Sequence, residues 1–102
     1  MAKIEYAQNA LSDFKRLVDF LMESDATTAL ETFDIIDEAI KVLRRHPYIG
    51  RSTLNRSTSS GGKSELVISR GKTGYIAIYK FDKLSDIVVI LVIKHQREDN
   101  FD

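Results

Sequence analysis

Nearly all of the strand-forming residues of this chain fall within one stretch, residues 65–97, which constrains the fold more than any other feature. The stretch contains three runs of β-branched or aromatic residues, at positions 67–68, 75–81 and 87–93. Such runs favour strands, and the gaps between them are short enough for hairpins. The first gap carries two glycines that tolerate positive φ, and the second begins and ends with Asp, which supports turns. The pattern predicts an antiparallel meander of three strands.

The last run, residues 87–93, is apolar at every position. Because a strand covered on one face alternates apolar with polar residues, this run predicts a central strand covered on both faces. In the middle run, Tyr75, Ala77, Tyr79 and Phe81 share one face. The two tyrosines could stack on nucleic-acid bases, but the presence of Ala77 and Phe81 beside them favours core packing.

The sequence before residue 46 predicts one short strand and two helices. Residues 3–6 alternate in polarity, as a strand does. An amphipathic stripe with Asn9 as its cap predicts a helix over 9–22, and a second stripe that begins after Ser24-Asp25 predicts a helix over 26–45. The predicted inward residues are Leu11, Phe14, Leu17, Val18, Leu21 and Met22 on the first helix, and Ala29, Phe33, Ile36, Ile40 and Leu43 on the second.

These elements together predict a single α+β domain over residues 1–102. Two helices joined by a few polar residues form an antiparallel hairpin, whose apolar surface needs a sheet to cover it. We therefore expect the hairpin to pack on one face of a mainly antiparallel sheet of about four strands. The segment 48–62, rich in Ser, Thr and Gly, is expected to be a mobile loop.

Composition excludes several classes of function. The chain has no cysteine, so disulfides, thiolate metal sites and cysteine nucleophiles are excluded. It carries no catalytic or phosphate-binding motif, and its two histidines are far apart, so neither a metal nor a cofactor is expected. No signal peptide or apolar run of membrane-spanning length is seen, so we expect a soluble cytoplasmic protein without a membrane partner.

Charge is distributed unevenly although the net charge is zero. Residues 1–40 hold nine acids and three bases, whereas residues 41–97 hold twelve bases and three acids. This asymmetry predicts an acidic helical face and a basic face that could receive an anionic partner. The alternative is an ordinary solvated surface.

Two histidines are candidates for chemistry. His46 precedes Pro47 at a predicted helix end and is best explained as a capping or surface residue. His95 leaves the apolar strand beside Lys94 and Arg97, a composition suited to a phosphate site with a general acid or base. The alternative for His95 is a polar strand end without a catalytic role.

The order of elements, together with the sequences HPYIGR, ELVISRGKTGYIAIYKF and VVILVIKHQRE, resembles the RelE/ParE superfamily of type II toxins over nearly the whole chain. The second segment is more similar to the ParE branch, whose members poison DNA gyrase, than to the RelE branch of ribosome-dependent mRNA endonucleases. The resemblance implies a toxin that is neutralised by a cognate, ParD-like antitoxin.

Two departures from the family pattern bear on mechanism. Many relatives have Arg where this chain has Ser64, so a toxin-fold binding module without toxic activity is one alternative. The aromatic residue near the end of the sequence is Phe101, whose side chain has no hydroxyl group that could transfer a proton in catalysis.

The target expected from this resemblance is DNA gyrase, with the ribosome and mRNA as the alternative. A nuclease would have only Arg70, His95 and Arg97 to supply its chemistry, and this set lacks a convincing base. The predicted partner-binding residues are Arg51, Arg70, Tyr79, His95 and Arg97.

Overall fold

The computed structural model describes residues 1–52, 62–70 and 73–95. The elements in chain order are β1 (Lys3–Tyr6), α1 (Gln8–Ser24), α2 (Ala26–Val42), β2 (Arg51–Ser52), β3 (Ser64–Arg70), β4 (Thr73–Asp82) and β5 (Ile87–His95). The predicted α+β class is confirmed. Most of the predicted mobile loop, residues 53–61, lies outside the described residues, as do Arg97 and Phe101.

The described strands form one five-stranded sheet in the order β1-β5-β4-β3-β2. Strands β3, β4 and β5 pair antiparallel, which confirms the predicted meander, and the two-residue β2 extends it at one edge. At the other edge β1 pairs parallel with β5, so the sheet is mixed. The prediction that residues 87–93 form the central strand is wrong, because β4 occupies the middle of the sheet.

The two faces of β5 are covered unequally. Val88, Ile90 and Ile93 are buried against the helices, whereas Val89 and Leu91 on the strand are only half-buried. Both faces are thus covered, as predicted, but only the face toward the helices is fully buried. A register shift explains the uneven spacing of the buried residues: Ile78 pairs with Val92 and Tyr79 with Ile90, which leaves Leu91 as an extra residue.

The turn between β4 and β5 uses both of its aspartates, as predicted. The Asp82 carboxylate accepts a hydrogen bond from the Leu84 N–H at 3.1 Å, and the Asp86 N–H donates to the Asp82 carbonyl at 2.8 Å. Asp86 adopts a φ of 60°, a left-handed conformation that Asp tolerates better than most residues. The side chain of Asp82 thus supports the turn, and Asp86 provides its unusual backbone angle.

The helix boundaries follow local hydrogen bonding. The α1 helix begins one residue before the predicted start, and its cap position is Ala7, so the prediction of Asn9 as cap is wrong. Asp25 alone separates the helices and caps α2, where its carboxylate accepts from the Thr27 N–H at 3.0 Å. The α2 helix ends at Val42, three residues before the predicted Arg45, because the backbone tightens into a turn there.

The core lies between the helical hairpin and one face of the sheet. On α2, Thr32 faces the core, whereas Phe33 is 41% exposed. The prediction that Phe33 points inward is therefore wrong, as are those for Leu11 and Met22 on α1, which are exposed. The fully buried residues of largest volume are Tyr79, Ile36, Ile40, Leu43, Ile90, Ile93, Val88 and Thr32.

Candidate partner-binding surface

The segment that joins α2 to β2 is a tight turn formed by residues 46–49. The Ile49 N–H donates to the His46 carbonyl at 3.1 Å, which closes the turn. Pro47 stands at the second position, where its fixed φ is favoured. The sequence HPYI therefore folds into a turn for local reasons, and it changes the direction of the chain between helix and sheet.

The side chain of Tyr79 on β4 holds this turn against the sheet through two hydrogen bonds. Its hydroxyl donates to the Pro47 carbonyl at 2.8 Å and accepts from the Gly50 N–H at 2.9 Å. A Cβ at Gly50 would lie 2.7 Å from the Tyr79 hydroxyl and 2.7 Å from the Glu65 carbonyl oxygen. Only glycine fits this approach without displacement of its neighbours. The Tyr79 side chain is 1% exposed, so Tyr79, predicted to contact a partner, lies instead in the core.

Arg51 follows the turn directly and lies in β2, at one edge of the sheet. It pairs with Glu65 in the β2–β3 ladder, and its guanidinium donates to the Glu65 carboxylate at 2.9 Å. The side chain remains exposed at the surface. Because the pair is exposed, it orients Arg51 more than it stabilises the fold.

His95 lies at a different end of the sheet and on a different face from Arg51. His95 pairs with Tyr75 in the ladder, and the two rings meet edge to face with centroids 5.2 Å apart. Arg51 pairs with Glu65, and Glu65 pairs in turn with Ile78. Ile78 is three residues from Tyr75 on β4. Since side chains alternate along a strand, Arg51 and His95 project from opposite faces, and their backbones are roughly 18 Å apart by strand geometry.

Arg70 lies nearer to His95 along the backbone. It pairs with Thr73, two residues from Tyr75, at the hairpin between β3 and β4. Strand spacing places the Arg70 and His95 backbones about 12 Å apart. Arg97, the last of the predicted residues, is outside the described part of the chain.

A separate groove of about 500 Å³ lies between β1 and the second half of α2. Its apolar lining includes Ala2, Ile4 and Ile40, and its cations are Lys3, Lys41 and Arg44. Lys41 donates to Asp37 across one helical turn at 3.0 Å, and that hydrogen bond raises the pKa of Lys41. Because β1 is an edge strand, one side of its backbone faces this region unpaired with another described strand. We refer to it as the β1–α2 groove.

Aromatic rings extend the lining of this groove over the helices. Tyr6 stacks on Phe14 with centroids 6.3 Å apart, and Phe14 stacks on Phe33 at 5.1 Å. Burial raises the pKa of Tyr6, with a further contribution from the negative charge of Asp37. Phe33 therefore packs at the exposed edge of this stack and not in the core.

The described residues show neither a metal site nor a membrane span. Within residues 1–52, 62–70 and 73–95, no three His, Asp or Glu side chains gather as metal ligands would. Neither of the two helices in that part of the chain is long and apolar enough to cross a membrane.

Comparison with protein families shows which family this chain belongs to. Residues 4–100 match the family described as the ParE toxin of the type II toxin-antitoxin system, parDE. The chain belongs to the ParE toxin family. A comparison with curated proteins found no match.

Two solved structures share the fold of this ParE-family chain. One, of the chromosomal ParDE toxin-antitoxin system from P. aeruginosa, is 18% identical, with a TM-score of 0.66, and the match covers 93% of this chain and 96% of that one. The other, of the RelBE2 toxin-antitoxin complex from Mycobacterium tuberculosis, is 21% identical, with a TM-score of 0.57 and coverage of 92% and 96%. Both likenesses concern the fold of this ParE-family chain.

No pattern in the sequence indicated the β1–α2 groove of this ParE-family chain. Lys3 and Lys41 belong to patterns that are ordinary on solvated strands and helices, and alternation indicates one apolar face nearby, that of Ile4 and Tyr6. The groove exists because β1 adds parallel to β5 and so lies beside α2. A prediction of strand order would have been needed to find it.

Proposed function

We propose that this ParE-family toxin inhibits DNA gyrase as a binding protein rather than as an enzyme. The observation that supports this most is the match of residues 4–100 to the ParE toxin family, since the ParE branch is expected to act on gyrase and the RelE branch on mRNA. A nuclease must bring a base, an acid and a phosphate-stabilising cation to one phosphate group. An inhibitor needs only a complementary surface.

The alternative target is the ribosome with its mRNA. A nuclease would depend on Arg70, His95 and Arg97, in which the His95 imidazole alone can exchange a proton, so one residue would have to serve as both base and acid. The zero net charge of the chain is also unfavourable for a protein that must grip RNA. Both considerations favour gyrase.

A paired assay tests the target. The purified protein is incubated with gyrase and plasmid, and separately with translating ribosomes and mRNA, as wild type and as His95→Ala. We expect lost supercoiling or trapped, cleaved plasmid that survives His95→Ala, and intact mRNA. Codon-dependent mRNA cleavage that is abolished by His95→Ala, with supercoiling untouched, would refute the gyrase assignment.

The proposed neutralising partner is a ParD-like antitoxin that binds in the β1–α2 groove. The groove combines an apolar lining with Lys3, Lys41 and Arg44, so it suits a segment that carries apolar and acidic residues. Arg51, Arg70 and Arg97 remain proposed anchors for acidic or backbone groups of the same partner. With these two proposed partners, we propose the cytoplasm as the location of the protein.

Co-expression with the adjacent small open reading frame tests the antitoxin. We expect the two proteins to copurify and the growth defect to be relieved. Arg44→Glu should weaken the complex, because it reverses a charge at the groove, whereas Lys83→Glu in the β4–β5 turn serves as the matched control. Failure to copurify, with no relief of toxicity, would refute this partner.

Loss of toxic activity is the remaining alternative, and it concerns Ser64. This residue pairs with Ser52 on one side and with Tyr79 on the other. If an arginine there is needed for toxicity, Ser64→Arg should turn a harmless chain into one that arrests growth. A wild-type chain that already arrests growth would exclude this alternative.

A further inference from the structure

The turn between α2 and β2 presents a second surface, apart from the β1–α2 groove. We propose that Tyr48, Ile49 and Arg51, here called the turn surface, bind an acidic protein surface that contains an apolar recess. This inference rests on the proposed function, in which that protein is gyrase. It assigns the target to a surface that lies apart from the β1–α2 groove and shares only Arg51 with the anchors proposed for the antitoxin.

The apolar residues of the turn surface are unusually exposed. Tyr48 is 70% exposed and Ile49 54%, although both are large and hydrophobic. They adjoin the exposed Arg51 within four residues of chain. Tyr and Arg are the residue types that most often carry the binding energy of protein interfaces. Their combination with Ile49 gives an anchor of apolar residues bordered by a cation.

The turn surface is also held in one conformation before any partner arrives. The Tyr79 hydroxyl fixes the turn at Pro47 and Gly50 through two hydrogen bonds. The Tyr48 ring meets the Phe81 ring edge to face at 5.3 Å, which restrains the exposed aromatic side chain. A surface that is ordered in advance loses less conformational entropy on binding and so binds more tightly.

The positive charge around the turn surface indicates that the partner carries negative charge. Residues 41–64 contain no acidic residue, whereas Lys41, Arg44, Arg45 and Arg51 all belong to the described part of that segment. Glu65 occupies one end of the Arg51 guanidinium, which has further N–H donors for a second carboxylate. We therefore assign an acidic partner.

A protein fits this surface better than a nucleic acid does. Ile49 has no ring on which a base could stack, and it would gain from burial in an apolar recess. A folded protein surface can offer such a recess with carboxylates at its border.

Binding to purified gyrase and to the antitoxin, measured side by side, tests this inference. Tyr48→Ala and Ile49→Ala should each weaken gyrase binding about tenfold or more, as truncation of interface anchors does. Both should bind the antitoxin as the wild type does. Leu84→Ala and Phe20→Ala remove exposed apolar side chains elsewhere and serve as matched controls that should bind both partners normally.

Tyr79→Phe examines the ordering of the turn without removing any surface residue. The ring stays in the core, while both hydrogen bonds are lost. We expect faster hydrogen exchange of the Gly50 amide and gyrase binding about threefold weaker or more. Tyr75→Phe, which removes the hydroxyl of another buried tyrosine on β4, is the control.

The possible failures are distinguishable. If the wild type binds gyrase and the Tyr48→Ala and Ile49→Ala variants bind it equally well, the turn surface is refuted while the proposed function stands. If these variants lose antitoxin binding to the same extent, or lose only binding to DNA free of gyrase, the assigned partner is wrong. If the wild type does not bind gyrase, the proposed function and this inference both fail.

Discussion

The carboxylate of Asp13 on α1 accepts a hydrogen bond from the backbone N–H of Ile93 on β5 at 3.1 Å. β1 pairs with β5 only from Ile87 to Ile90, so the Ile93 N–H lies past the end of the parallel ladder. Asp13 supplies the acceptor that a longer β1 would have supplied. The same carboxylate pairs with Arg16 at 3.4 Å.

Asp13→Ala should lower the free energy of unfolding by about 1–3 kcal/mol, because it leaves the backbone N–H of Ile93 without its partner. Urea denaturation measures the change. Asp19→Ala is the matched control, since Asp19 lies on the same helix and, within the described part of the chain, forms an exposed pair with Lys15. We expect Asp19→Ala to stay within about 0.5 kcal/mol of the wild type. Equal effects of the two substitutions would contradict the role given to Asp13.

Gly50→Ala should destabilise the protein by about 1–3 kcal/mol, the usual cost of overpacking. Its Cβ would meet the Glu65 carbonyl oxygen and the Tyr79 hydroxyl, both at 2.7 Å, so the turn would have to shift. Gly62→Ala is the control, because nothing lies within 4 Å of the Cβ it would add. Thermal unfolding of both variants tests the prediction, and a Gly50→Ala protein as stable as Gly62→Ala would contradict the tight approach.

Much of the fold could be predicted from local sequence. The strands of the meander follow from β-branched runs separated by turn residues, and Asp25 identifies the break between the helices. These signals act within a few residues, so they can be read without knowledge of the fold. The centre of the sheet could not be read in this way, because β1 joins β5 through a parallel pairing of distant segments.

The candidate site was harder to predict because it depends on long-range contacts. Tyr79 alternates with Ala77 and Phe81, which indicates burial, but nothing in the sequence shows that its hydroxyl reaches Pro47 and Gly50. The extra residue at Leu91 shifts the buried positions of β5, and a run that is apolar throughout hides such a shift. Arg51 and His95 could be assigned to faces only once the register was known.

Ile90→Ala and Phe33→Ala should differ in cost, although sequence patterning predicts that both residues are core. Ile90 is fully buried, so its truncation should cost about 2–5 kcal/mol. Phe33 is partly exposed and packs mainly on Phe14, so we expect about 1 kcal/mol. Urea denaturation of both variants provides the comparison. A Phe33→Ala cost equal to that of Ile90→Ala would mean that Phe33 is buried more deeply than the structure shows.

Thr32→Val should leave the stability unchanged or raise it by about 1 kcal/mol. The Thr32 hydroxyl is buried and has no hydrogen-bond partner among the residues that the structure describes, and valine replaces it with a methyl group of similar shape. Thr28→Val is the contrasting control, because the Thr28 hydroxyl donates to the Asp25 carboxylate at 2.9 Å. The unfolding temperature of Thr32→Val should equal or exceed that of the wild type, whereas that of Thr28→Val should be lower. A clear loss of stability in Thr32→Val would reveal a role for the hydroxyl.

Acid should weaken the start of α2 through Asp25. A hydrogen bond from the Thr28 hydroxyl, followed by those from the Thr27 and Thr28 backbone N–H groups, lowers the pKa of Asp25 from its ordinary value of 3.8. Because the folded state binds this proton less readily than the unfolded state does, the stabilisation is fully present above pH 3.8 and is lost as the pH falls through the lower, folded-state pKa. Asp25→Asn retains a neutral cap, so its stability should depend less on pH in that range. Urea midpoints of the wild type and Asp25→Asn, compared at neutral pH and below pH 3.8, should converge as the pH falls, whereas a constant difference would show that the Asp25 charge has no part in capping α2.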